Sequence, residues 1–338
     1  MKFHRLIRGL LLVIAAGLLA APAVAHEVRP ALLQINESAP GRFDVTWKQP
    51  LVGEMGVRLI PHLSGGGLDV KPATETITPG FLVRTWVLQG GPALDGQKIR
   101  IEGLPQTVTD VIVRVAARDG HAIDAVVTPS RPVLKLALSA PKGAALPAYL
   151  TLGVKHILTG IDHLMFVLGL LILTGIGWRI VKVVSAFTLA HSLTLALAAL
   201  GYIHFPSAVI EALVALSIVF VAYEMVPRPD APLGLTHRFP WIIAFVFGLL
   251  HGMAFAGALS AIGLPPRAAP QALLLFYVGV EIGQLMFIAV AVLVILGLRR
   301  LRSKLPFDTS ALARALPAYA IGSCAMFWFI DRAIAAYA

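Results

Sequence analysis

Two patterns of hydrophobic and polar positions divide the chain. Between Val28 and Leu138, apolar and polar residues alternate in short runs broken by Gly and Pro, at 31–35, 42–48, 56–60, 81–88, 98–101, 108–116 and 122–127. Runs of this length with a period of two put alternate side chains on opposite faces, which predicts β-strands. Asp119-Gly120, between two of them, is a hairpin signal. Short strands at this density over about 110 residues predict an all-β, sandwich-like antiparallel domain of immunoglobulin-like size over residues 26–140, with the strand order left open.

From Pro147 onward the alternation gives way to long apolar runs at 147–174, 178–200, 207–226, 240–262, 270–298 and 311–337. Each is long enough to cross a hydrocarbon layer of about 30 Å as a helix, and a helix satisfies its own backbone in lipid. The expectation is an α-helical membrane bundle of about six transmembrane helices over residues 141–338. Pro129, Pro132, Pro141 and Pro147 mark a stiff linker into it.

Composition agrees: the chain is 57% hydrophobic and 14% charged, with a mean hydropathy of +0.81, which excludes a soluble enzyme of this size and makes the lipid bilayer a partner. The formal charge of +10 does not point to nucleic acid. Its basic residues sit in short loops beside apolar runs: Arg179 and Lys182, then Arg228 and Arg238, then Arg299, Arg300, Arg302 and Lys304, whereas the alternate loops carry only Arg267. Residues 1–25 have a basic start (Lys2, Arg5, Arg8), an apolar run and the small-residue site Ala23-Val24-Ala25, the features of a secretory signal peptide. Export of the β domain and the excess of positive charge in alternate loops give one topology, a bacterial inner-membrane protein with its N-terminal domain and C-terminus on the periplasmic side. Cys324 is the only cysteine, so disulfides and a thiolate metal site are excluded by count.

The chemistry lies in the first apolar run, which carries His156, Asp162 and His163 around Gly160. Ionisable groups at membrane depth are costly and mark function. At about 1.5 Å per residue, His191, His251 and Glu281 fall about 16 to 18 Å from the ends of their own helices, close to mid-membrane. A lone mid-membrane histidine is often only a hydrogen-bond partner between helices. Four histidines, an aspartate and a glutamate at one depth on four helices point to a shared metal site instead. Histidines seven apart on a straight helix are about 10 Å apart along its axis, too far for one ion. Either they belong to two tiers or the helix breaks near Thr159-Gly160. Asp162, about 100° from His163, is placed to accept a hydrogen bond from a neighbouring histidine. Asp331 and Arg332 read as an interfacial pair. His26, His62 and His121 read as solvated surface residues, with an alternative for His26: after signal cleavage it would offer an amine and an imidazole together, a metal-capturing pair.

The pattern His156-x3-Gly160-x-Asp162-His163, with Ala190-His191-Ser192 and His251-Gly252-x-Ala254, resembles the HupE/UreJ family of membrane proteins. The stretch His26-Glu27-Val28-Arg29-Pro30 is similar to the mature start of that family's longer branch. The family is associated with hydrogenase and urease accessory functions, and its shorter members are considered nickel permeases. The resemblance implies that His156, Asp162, His163, His191 and His251 handle a metal, with metalloenzyme maturation proteins as partners. This chain has Phe255 and Ala258 where shorter members tend to carry a second His and a Glu, and Glu281 on the next helix has the depth to compensate.

Imidazole and carboxylate donors suit a divalent transition metal such as nickel, cobalt, copper or zinc, with nickel and zinc foremost. Three functions use such donors: a permease, an intramembrane zinc hydrolase with Asp162 or Glu281 as general base, and a membrane-anchored accessory protein that binds without transport. No phosphate-binding loop for ATP-driven pumping and no Gly-x-Ser-x-Gly elbow is present.

Overall fold

The computed structural model describes residues 30–51, 59–78, 80–90, 93–107, 109–118, 122–137, 146–200, 202–203, 205–206, 207–226, 234–262, 269–302 and 310–337. The expected signal peptide, His26, Asp119-Gly120, His121 and Pro141 lie outside the described residues, as does most of the strand expected at 56–60.

Among the described residues nine strands form the N-terminal region: β1 (Ala31–Ala39), β2 (Arg42–Pro50), β3 (Ile60–Leu63), β4 (Thr74–Thr78), β5 (Phe81–Gln89), β6 (Lys98–Glu102), β7 (Val111–Ala116), β8 (Ala122–Val127) and β9 (Val133–Lys135). Six make one sheet in the order β4-β5-β2-β1-β7-β8, and three make another in the order β3-β6-β9. Leu33, Ile35 and Trp47 of the larger sheet share one buried core with Leu63, Ile99 and Ile101 of the smaller. The pairing is not wholly antiparallel, because β1 and β7 run parallel from Ala31↔Val111 to Asn36↔Ala116. Two strands carry no sequence signal of the expected kind. β4 is exposed at every position and so has no apolar face to alternate, and β9 is a three-residue edge.

The central strands are apolar on both faces, for a physical reason. While Leu33 and Ile35 point into the core between the sheets, Leu32 and Ile112 on the opposite face pack with Tyr149, Leu152 and Phe276 of the helical region. Burying each such side chain contributes about 1.5–3 kcal/mol, so the β region is fixed against the helices by more than its linker.

The helical region comprises α1 (Leu146–Thr159), α2 (Ile161–Thr174), α3 (Trp178–Ala199), α4 (Ser207–Met225), the short α5 (Leu235–Arg238), α6 (Pro240–Ile262), α7 (Ala269–Arg302) and α8 (Ser310–Tyr337). Among the described residues three helices are long and apolar enough to cross a membrane, within α3, α4 and α7, and a fourth span results if α1 and α2, bent by 70° at their junction, count as one. Six spans are therefore not reached among the described residues. The side chains of α6 are described only as far as Ala254, and Pro240–Ala254 counts as a shorter apolar helix, while α8 holds Pro317, Asp331 and Arg332. Phe166, Leu170, Phe187, Ile218 and Val221 form the main helical core.

Candidate metal centre

The bend between α1 and α2 makes a site from residues that a straight helix would hold about 10 Å apart. Gly160 sits between the two helices with φ −77° and ψ 89°, outside the helical region. Glycine is a weak helix former, and Thr159 loosens the preceding turn by donating its hydroxyl to the Lys155 carbonyl at 2.8 Å. A Cβ at Gly160 would lie 2.7 Å from His163 Nδ1 and 2.9 Å from the His156 carbonyl oxygen, so any side chain would push His163 away. The ring centroids of His156 and His163 come to 5.0 Å. Of the two arrangements open to the sequence, the break is the one adopted. It also removes the basis for reading depth along 147–174 as one straight rod.

His191 arrives from α3, its ring 5.7 Å from that of His156 and 5.4 Å from that of His163. One nitrogen from each of the three lies within 4.8 Å of the others, all three side chains are buried, and the group could hold a metal ion. His251, fully buried on α6, places its ring 5.1 Å from that of His163. The Ser217 hydroxyl donates to the Val214 carbonyl at 2.6 Å and therefore accepts from His251 Nε2–H at 3.0 Å. This bond fixes the tautomer and leaves a lone pair on His251 Nδ1. Gly252 brings α6 against α3, since a side chain there would run into the Thr194 hydroxyl and the His191 carbonyl, and Thr194 bonds across to the Leu249 carbonyl at 2.8 Å. Phe276, Phe187 and Phe166 wall the cluster, their ring centroids 5.5 Å from His156, 5.9 Å from His191 and 5.0 Å from His251 respectively. Among the described residues both ring nitrogens of His163 and His191, and Nδ1 of His251, have no hydrogen-bond partner.

The carboxylates lie apart from this group. Asp162 accepts no bond from a histidine among the described contacts: its Oδ2 receives Arg332 Nη2 at 2.9 Å, an ion pair with side chains 17% and 10% exposed. Arg332 is thus the partner of Asp162 on α2, not of Asp331 beside it. Glu281 receives the Ser185 hydroxyl at 2.6 Å on Oε1, while its Oε2 is buried with no hydrogen-bond partner. Neither carboxylate belongs to the three-histidine group. The sequence offered one signal for Arg332, a guanidinium in an apolar run, which must find a partner. Ser217 and Gln284, buried and bonded to His251 and Thr188, carried no signal beyond being polar.

In the β region His62 is more than a solvated residue. Its Nδ1 lies 2.6 Å from Asp69 Oδ1 and its Nε2 2.9 Å from Glu102 Oε2. The bond to Asp69 raises the pKa of the ring above its ordinary 6.5, partial burial opposes this, and Glu102 adds to the rise.

No curated protein and no solved structure matches the chain. Residues 134–332 match the family described as HupE / UreJ protein, a span that holds all four buried histidines and covers more than half of the sequence. The chain belongs to the HupE/UreJ family.

Proposed function

We propose that this protein is an integral membrane transporter for a divalent transition metal of the nickel type, cobalt, copper and zinc being the other ions its donors suit. The observation that carries the reading is the meeting of His156, His163 and His191, buried, with ligand atoms within 4.8 Å of one another. The family's association with nickel and cobalt transport supports it. Ligands about 2.1 Å from a tetrahedral ion stand about 3.4 Å apart, so the rings need only small rotations to close on a cation. The unpaired nitrogens of His163 and His191 supply the lone pairs, and each buried unpaired polar atom costs about 1–3 kcal/mol, a cost that coordination offsets. A site that must tighten to hold its ion also releases it, as passage requires.

In this reading residues 1–25 are a cleaved signal peptide, 26–140 a periplasmic β domain and 141–338 a bundle of six spans in a bacterial inner membrane, with the C-terminus periplasmic. His26 captures the ion outside, His251 adds a fourth imidazole, and Glu281 offers its second oxygen along the path. Metalloenzyme maturation proteins receive the ion inside. A zinc hydrolase built on the same three histidines would need a carboxylate base. Asp162 is engaged by Arg332, and neither it nor Glu281 belongs to the three-histidine group, which favours transport.

The test is uptake of radioactive nickel by proteoliposomes holding the full-length protein. Accumulation should fall by about 10-fold or more in His163→Ala. Equal accumulation by the two overturns the reading, and stoichiometric zinc that survives dialysis replaces it with the hydrolase.

A further inference from the structure

We infer that Asp162 and Arg332 form a clamp that sets the position of His163, with Asp162 a positioning residue and not a ligand of the metal. This rests on the three-histidine reading above. Arg332 ties three helices together. From α8 it donates Nη2 to Asp162 on α2 at 2.9 Å and Nη1 to the Glu211 carbonyl on α4 at 3.1 Å, and its guanidinium carbon lies 5.8 Å from the Trp328 ring. Asp162 is the residue before His163 and the second after Gly160, in the first turn of α2. Within one helical turn the two backbone positions move together, so whatever holds Asp162 holds the Cα from which His163 enters the site.

The other arm of the bend is held in the same way. Lys155, the residue before His156, gives its ammonium to both oxygens of Asp110 at 2.9 and 3.0 Å. Asp110 belongs to the β region, where its carbonyl accepts the Ala31 N–H at 2.9 Å. An ion pair from a different part of the molecule therefore grips each arm one residue ahead of a histidine. Asp162 is not among the residues whose ligand atoms come within 4.8 Å of one another, although its Oδ1 is buried with no hydrogen-bond partner among the described residues, so a ligand role would need the carboxylate to shift away from Arg332, and disturbing one partner of such a pair is unfavourable.

A charge cycle separates clamp from ligand. Equilibrium nickel(II) binding is measured on the purified full-length protein. Asp162→Asn and Arg332→Gln should each weaken binding by about 10- to 100-fold. The double variant, which leaves no unpaired charge, should regain most of that loss. A readout that needs no metal accompanies it: the rate at which diethyl pyrocarbonate modifies His163, followed by peptide mass spectrometry, should rise in each single variant and fall back in the double. Arg332→Lys keeps the charge but cannot reach both Asp162 and Glu211, and should give an intermediate loss even if a neutralised variant does not fold. The clamp is overturned if Arg332→Gln or Arg332→Lys behaves as wild type while Asp162→Asn abolishes binding, or if the losses add in the double variant. If wild type binds no nickel, the metal reading fails by itself and the modification rates alone decide the clamp.

Discussion

Among the described residues, the β region and the helical region each contain a histidine environment that the other lacks. His62 has a carboxylate on each ring nitrogen, Asp69 at 2.6 Å and Glu102 at 2.9 Å. His163 and His191, both buried, have no hydrogen-bond partner on either ring nitrogen among the described residues, and the rings around them are each other, His156, His251 and Phe187. An imidazole between two carboxylates is built to hold a second proton, because both N–H groups then donate to anions. An imidazole among other imidazoles and phenyl rings keeps its lone pair for whatever cation enters. One residue type thus favours proton binding in one region and leaves its lone pairs open to a metal ion in the other, and the neighbours decide which. Motif spacing alone could not have drawn this distinction.

The largest effect expected from breaking the contrast comes from exchanging the two regions' roles in one assay. His191→Ala removes one of three ligands and should reduce nickel uptake in proteoliposomes by about 100-fold, at the upper end of what losing even a group behind a ligand costs. His62→Ala, measured alongside, should stay within about two-fold of wild type, since ordinary surface substitutions act weakly. Equal losses would mean that the β-region histidine is part of the transport path. A smaller effect sharpens the contrast without removing a ligand. Gly160→Ala puts a methyl group 2.7 Å from His163 Nδ1, so the ring must move and nickel affinity should drop by about 10-fold. Unchanged affinity in an isotherm would show that the bend is not what sets the spacing.

The strands of the β region were legible because burial on one side leaves a periodic trace, at Ile99 and Ile101 in β6 for example, and the helices because their runs are long and apolar. β4 was not legible, since an edge strand exposed along its whole length leaves no such trace. The four histidines could be placed at a similar depth, and the seven-residue spacing of His156 and His163 gave a break near Thr159-Gly160 as one of two options. Arg332 reaching across to Asp162 was not readable, because the 70° bend moves Asp162 away from the position a straight helix gives it, and the partner lies 170 residues further along the chain. Lys155 and Asp110 were hidden for the same reason, as a contact between two regions that follow different periodicities.

The smallest expected effect belongs to His62 and concerns protons. Its pKa is raised in the folded protein, first by the bond to Asp69, so the folded state holds the proton more tightly than the unfolded chain does. The stabilisation this gives is complete below the ordinary value of 6.5 and is lost as pH rises through the raised value, which weakens the link between β3, the Asp69 turn and β6. The His62 side chain is 34% exposed, and Asp69 and Glu102 are 50% and 60% exposed, so solvent screens the pair and the change is small. The cross-strand neighbour of His62 on β6 is Arg100, a positively charged side chain. Thermal unfolding of the full-length protein between about pH 6 and pH 9 should show the β-region transition falling slightly with pH. His62→Gln should flatten that slope while leaving nickel affinity unchanged. A slope that survives the substitution would assign the proton to another group, and a slope of opposite sign would mean that the two carboxylates do not hold the ring in its charged form.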